Sequence, residues 1–290
     1  MDVVLDTLFA SIRMATPLWF AAMGGILAER SGVINLALEG LMLIGAFTGA
    51  ACAYSSGSPA LSFLVAGLAG GALAAIFGFL TLTLRGDQAV VGMGINLLSV
   101  GLTPFLNKLM FGVTGSTPSL STEQRFVYAP TVFALALILV QSLWMRWSVS
   151  GLWVRFAGEH PAALLNAGVR VQRTRWICVL LSGVCAAWGG TTQSTMLASQ
   201  FSKQMTAGAG FMAIAAMILG RWSPLRTAFV CLFFGLTDAV QIRLQGVLSG
   251  TDTAWLLQLI QMSPYVLTLL VLASSLHASR APKALGETKY

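Results

Sequence analysis

Residues 60–84 read ALSFLVAGLAGGALAAIFGFLTLTL, without one charged side chain. A helix needs about 20 apolar residues to cross the roughly 30 Å hydrocarbon core of a bilayer. This run is long enough to cross. Windows of the same kind recur at 127–145, 176–202 and 253–279, again with no Asp, Glu, Lys or Arg. Four more are interrupted sparsely: 5–27 by Asp6 and Arg13, 33–54 by Glu39, 89–109 by Lys108 and 225–242 by Arg226 and Asp238. The window 204–220 is uncharged but short. Together they predict nine helices, within a range of about 8–10 spans. Strands of a membrane barrel would alternate apolar and polar residues over about 10 positions, and these uniform runs do not. The fold predicted is all-α, a polytopic transmembrane helical bundle forming a single domain over residues 1–290.

Composition agrees with that reading. Of 290 residues, 56% are apolar and 9% are charged, and the mean hydropathy is +0.79. A soluble domain carries about 25% charged residues. A water-soluble enzyme and a nucleic-acid-binding module are thereby excluded, because the net charge of +7 resides in loops between apolar runs. Alternating the nine windows places Arg30, Arg85, the five arginines of 146–175, Arg221, Arg226, Arg280, Lys283 and Lys289 on one side. That is 12 of the 17 basic residues; Lys108, Arg125, Lys203 and Arg243 fall on the other side, and Arg13 lies within a window. By the positive-inside rule the 12-residue side is cytoplasmic, C-terminus included. The start, Met1–Asp6, has no basic segment before its apolar run, so a cleaved signal peptide is not expected. Cys52, Cys178, Cys185 and Cys231 lie inside windows without CxxC spacing, as small packing residues do.

Several chemistries are missing. HExxH and GxSxG do not occur, and none of Lys108, Lys203, Lys283 and Lys289 follows a glycine as a phosphate-binding loop requires. The chain therefore carries no ATP-hydrolysing motif and no metal or cofactor site is expected in it. An intramembrane hydrolase is the weakest alternative, since no serine has a histidine base at its depth.

Polar residues inside apolar windows need a reason, because a buried charge or amide is costly in hydrocarbon. Asn35 and Glu39 are spaced i, i+4 and would share one helix face. Counting about 1.5 Å per residue, Glu39 lies roughly 12 Å inward from the turn at Glu29-Arg30, and Asn96 lies at about the same depth from the turn at 85–88. Asp238 is about 20 Å inward, and Gln193 sits in a polar patch, Thr191–Thr195, nearer the far end. Such residues either line a wet passage or bond to neighbouring helices. Gly45–Gly49 and Gly67–Gly71 have the spacing that lets helices approach closely. In the basic segment 146–175, Gly158-Glu159-His160-Pro161-Ala162-Ala163-Leu164-Leu165-Asn166-Ala167-Gly168 reads as a short helix, with Pro161 in its first turn and Gly168 past its end. Leu164 and Leu165 are expected to form an exposed apolar pair on it. Such a helix lies on the membrane or docks a partner.

At these residues the chain resembles the permease subunits of bacterial ATP-binding-cassette (ABC) importers, in the branched-chain amino acid, ribose and nucleoside group. Glu29-Arg30-Ser31-Gly32-Val33-Ile34-Asn35 running into Leu38-Glu39-Gly40-Leu41-Met42 is similar to the N-terminal signature of the nucleoside and simple-sugar branch. Gly158 through Gly168 resembles the coupling-helix motif, with His160 where Asn is common; Gly210-Phe211-Met212-Ala213-Ile214-Ala215 through Pro224 and Ser263-Pro264-Tyr265-Val266 resemble two further markers. The resemblance implies a type II-like importer core in the bacterial inner membrane. It implies a sister permease (the same chain or a related one), a cytoplasmic ABC ATPase that binds ATP and magnesium, and an extracytoplasmic substrate-binding protein. The expected solute is a nucleoside, with a simple sugar, riboflavin or an autoinducer as alternatives. Asn35, Glu39, Asn96, Gln193 and Asp238 are the expected substrate pathway; Gly158, Glu159, Pro161, Ala163, Leu164 and Gly168 are the expected ATPase-coupling residues, and no residue is catalytic. An ion-coupled secondary transporter using Glu39 or Asp238 is the rival mechanism.

Overall fold

The computed structural model describes residues 2–247 and 281–287, together with Met262 and Val266. Among the described residues up to 247, ten α-helices follow in order: α1 (Asp2–Arg30), α2 (Leu38–Ser56), α3 (Pro59–Gly78), α4 (Gln88–Phe111), α5 (Ala129–Trp147), α6 (Val149–Glu159), α7 (Pro161–Asn166), α8 (Val171–Thr192), α9 (Ala209–Leu219) and α10 (Pro224–Val247). Helix α3 runs on through a π-helical turn at Phe79–Thr83, and α8 through another at Gln193–Leu197. Among the described residues there is no β-strand, only an isolated bridge between Ser116 and Ser202. Among the described residues five helical stretches are long and apolar enough to cross a membrane: α2, α3 with its π turn, α4, the stretch ending in α5, and α10; α1 and α8, which carry the windows 5–27 and 176–202, are not among these five. The chain is an all-α, multi-pass membrane protein.

Two windows come out differently. Residues 204–220 do not span: α9 has 11 residues, about 16 Å of helix, because residues 198–208 are not helical. Helix α2 starts at Leu38 rather than at Val33, because residues 31–37 are also non-helical. Apart from Met262 and Val266, window 253–279, and with it Ser263-Pro264-Tyr265, falls outside the described residues.

Helix α8 is the centre of the bundle, packing against α1, α2 and α3. Small residues permit that. A Cβ placed on Gly45 would lie 2.2 Å from the Ala187 carbonyl oxygen, and one on Gly70 would lie 2.4 Å from that of Gly183. The helices touch backbone to backbone, which gains dispersion contacts where lipid provides no hydrophobic drive. Around this seam Trp188 stacks on Phe63 at 5.3 Å and donates its indole N–H to the Phe63 carbonyl at 2.9 Å.

One end of the bundle gathers the basic connections. Glu29, buried at the end of α1, accepts from the Trp222 indole at 2.6 Å, and the Arg30 Nε donates to the Trp222 carbonyl at 3.1 Å. Residues 281–287 return to this end as a strap: the Ala284 N–H donates to Gly158 O and the Gly286 N–H to Gly32 O. Arg175 is no loop charge, as its position in 146–175 had implied. It lies in α8, 1% exposed, and its guanidinium donates to the carbonyls of Ser31, Ala157 and Glu287.

The glycine seam generates a paired test. Gly45→Ala forces α2 off α8 and is expected to cost about 1–3 kcal/mol. Gly94→Ala is the control, because nothing lies within 4 Å of a Cβ there; it should hold or raise stability, by up to about 1 kcal/mol. Thermal midpoints of the isolated chain in mild detergent report both. Equal midpoints would refute the close-contact account.

Candidate functional site

Two helices begin inside the bundle. After α1 ends at Arg30, Gly32 takes a left-handed φ of 95°, and the chain turns back inward without forming helix until Leu38. Gly25 of α1 lies against the Leu38 side chain, which places the start of α2 five residues, or roughly 8 Å, inward of the end of α1. Helix α9 begins beside it, after residues 198–208 descend from the far end of α8. That descending segment is held by the 115–120 connection: Thr117 N–H donates to Phe201 O at 3.0 Å and Lys203 N–H to Gly115 O at 2.8 Å.

A helix start leaves backbone N–H groups without intrahelical partners, and in hydrocarbon each must be satisfied within the protein. The polar residues singled out in the sequence do this. The Glu39 Oε1 accepts from the Thr206 hydroxyl at 2.6 Å and the Gly208 N–H at 2.9 Å, while its Oε2 accepts from the Gly210 N–H at 2.7 Å. One carboxylate therefore covers the N-terminus of α9, where the helix dipole also favours negative charge. The Asn96 Oδ1 accepts from the Gly40 N–H at 2.8 Å, and its Nδ2 donates to the Leu36 carbonyl at 2.8 Å. Asn35 accepts from the Ala37 N–H at 3.1 Å and donates to the Ser182 hydroxyl at 2.8 Å. Gln88 completes the set, accepting from the Ile34 N–H at 2.7 Å.

Asn35 and Glu39 do not share a helix face. Asn35 lies in the non-helical stretch, fully buried against α8, while Glu39 sits in the first turn of α2 and is half-buried. The i, i+4 reading failed because the helix starts between them. Gln193 joins the cluster indirectly: its Nε2 donates to the Met205 carbonyl at 3.0 Å, next to Thr206. Asp238 stands apart, because α10 packs on α1, α5 and α9. Sequence reading missed Thr206, Gly208 and Ser182. Gly210 was visible as a marker, and the reason for it is now steric: a Cβ there would lie 2.5 Å from the Glu39 backbone.

The residues expected to couple to an ATPase form a second cluster at the basic end. Helix α7 spans Pro161–Asn166, the bounds expected from sequence. Gly168 follows with φ of 79°, and Val169 N–H donates back to Leu164 O at 3.2 Å. Gly158 is pressed against the end of α1, 2.4 Å from Arg30 O to a built Cβ, and Glu159 lies 3.7 Å from Arg30. The apolar pair is not jointly exposed: Leu164 is 4% exposed and packs on Ala157 and Val171, whereas Leu165 is 45% exposed. Adjacent positions on a helix point about 100° apart, so only one of them faces out. The outward face consists of Ala162, Ala163, Leu165 and Asn166, beside a groove of about 500 Å³ that also contacts Lys283, Ala284 and Glu287.

Residues 7–273 match the family model described as the permease component of the branched-chain amino acid transport system. The chain is 33% identical to a guanosine ABC transporter permease of Bacillus subtilis, over 96% of this chain and 94% of that one. It is 33% identical to a nucleoside ABC transporter permease of Lactococcus lactis, over 94% and 92%, and 32% identical to a putative glucose ABC transporter permease of Haloferax volcanii, over 87% and 82%. No solved structure matches the chain.

The cap on α9 can be tested directly. Glu39→Ala strands three donors, each costing about 1–3 kcal/mol when buried without a partner, so uptake and melting midpoint should both fall, uptake by about tenfold or more. Glu39→Gln keeps one acceptor oxygen and should fall between Glu39→Ala and wild type. Wild-type uptake and melting in Glu39→Ala would refute the cap.

Proposed function

The chain belongs to the branched-chain amino acid transport permease family, and from that premise we propose that it is the membrane-spanning permease subunit of an ATP-driven importer for nucleosides. The observation that carries this reading is near-full-length similarity to two permeases named for guanosine and nucleoside transport. Its ATPase and its substrate-binding protein are separate chains, as in ABC importers generally. ATP and magnesium are held by the ATPase, in keeping with the absence of a phosphate-binding loop in this sequence. The sister permease is a second copy or a related chain.

The membrane is the bacterial inner membrane, and the end bearing Arg30, α7 and the 281–287 strap faces the cytoplasm, in keeping with the bias of basic residues. Asn35, Glu39, Asn96 and Gln193 shape the passage by fixing two helix starts within it, so the solute meets their backbone surroundings as much as their side chains. Asp238 contributes from the α1–α10 side. The outward face of α7 docks in a groove of the ATPase, with Gly158, Glu159 and Pro161 setting its angle against α1. The sugar alternative is supported by relatives named for glucose transport.

Stimulation of ATPase activity in the reconstituted complex, scanned across nucleosides, pentoses, hexoses and riboflavin, decides the solute. Nucleosides are expected to stimulate most; stimulation by hexoses alone would overturn the nucleoside reading. For docking, burial of an exposed leucine contributes about 1.5–3 kcal/mol, so Leu165→Asp should lower ATPase recovery in a pull-down by about tenfold or more without changing the melting midpoint. Leu164→Asp should instead lower the midpoint, because it puts a charge into the Ala157–Val171 contact. Unchanged ATPase recovery in Leu165→Asp would refute the docking face.

A further inference from the structure

Beside the coupling groove lies another cavity, of about 390 Å³, whose walls include Arg30, Arg155, Lys283, Glu159, Leu152 and Phe156. Three permanent cations meet there with one carboxylate. Glu159 faces Arg30 at 3.7 Å, and Arg30 also donates to Trp222 O. The Arg155 Nε is buried and has no hydrogen-bond partner. His160 is the remaining titratable group on the wall. Cations gathered with so little to balance them call for an anion.

The apolar part of the wall shows which kind. Val149, Leu152, Trp153 and Phe156 are all exposed and fall on one face of α6, at helical spacing, while Gly151, Val154, Ala157 and Gly158 are buried on the other. Helix α6 directly follows the spanning helix α5, whose last residue, Trp147, is exposed and lies 5.9 Å from the Arg146 guanidinium. An aromatic and aliphatic stripe on a short helix next to a membrane exit is the pattern of a helix lying in the interface. The cavity is thus basic on one wall and apolar on the wall turned toward lipid.

We propose that this cavity is a binding site for an anionic phospholipid, with the phosphate held by Arg155 and Lys283 and an acyl chain lying along Leu152 and Phe156. An acidic side chain of a protein partner would use the cations but gain nothing from the apolar wall. A zwitterionic head group would bring its own amine against the arginines. Lys283, Glu159 and His160 also line the groove beside α7, so the bound lipid braces the strap and the coupling helix from the membrane side. This goes beyond the importer reading and stands whatever the solute.

Native mass spectrometry of the purified chain, mixed in mild detergent with phosphatidylglycerol or phosphatidylcholine, tests the site. Phosphatidylglycerol should be retained in preference, and Arg155→Gln and Lys283→Gln should each weaken its retention by about fivefold, the effect of one interfacial cation. Arg155→Lys keeps the charge and should retain lipid, which separates loss of the site from loss of fold. Equal retention of both lipids, or retention untouched by both Gln variants, would overturn the proposal. So would full displacement by inorganic phosphate, which would make this a free-anion site. Unchanged lipid retention in Arg155→Gln with diminished ATPase recovery would assign the cavity to the protein partner instead.

Discussion

A helix that begins inside the bundle leaves backbone N–H groups without intrahelical partners, and this protein has two such starts side by side. The Glu39 carboxylate satisfies α9 through Gly208 and Gly210, and Asn96 satisfies the first turn of α2 through Gly40. Much of the local sequence follows from that. Gly40 has to let α4 approach, with the Asn96 backbone 2.9 Å from a built Cβ, and Gly210 has to let α9 reach Glu39. Removal of the caps would leave the two breaks as the weakest backbone in the bundle. Held by them, the breaks are fixed points around which helices could rearrange.

The basic end has its own organising group. Arg175 is buried at the foot of α8 and collects carbonyls from the α1–α2 break, from α6 and from the strap. A guanidinium has five N–H donors in a fixed fork, so it can bind several carbonyls at once without needing an acid for each. The same Ser31 carbonyl lies four residues before Asn35. Helix α6, the strap and the inner break are therefore joined through one side chain.

The polar residues inside this bundle are thus structural in their immediate bonds. Asn35, Asn96 and Glu39 were singled out because polar groups are costly in hydrocarbon, and the fold brings Asn96 against Gly40, the residue after Glu39. Their partners are backbone groups and the hydroxyls of Ser182 and Thr206 rather than one another. Ser182, Thr206 and Gly208 were not legible because nothing in their local sequence marks them; they matter only through residues more than 140 positions away in the chain, as with Asn35 and Ser182.

The sequence alone determined the all-α membrane fold, most of the long helices, the basic end and the bounds of α7, because these depend on local composition: charge-free length, proline and glycine at helix ends, and arginines between spans. Tertiary structure alone decided where α2 and α9 start, which of Leu164 and Leu165 faces out, and that Arg175 is buried. Most of 31–37 and of 198–208, apart from the connection at Lys203, lies within windows that read as helix. What stops the helix there is the set of long-range bonds from Gln88, Asn96, Glu39 and the 115–120 connection, and a local pattern carries no trace of a partner that only folding brings near.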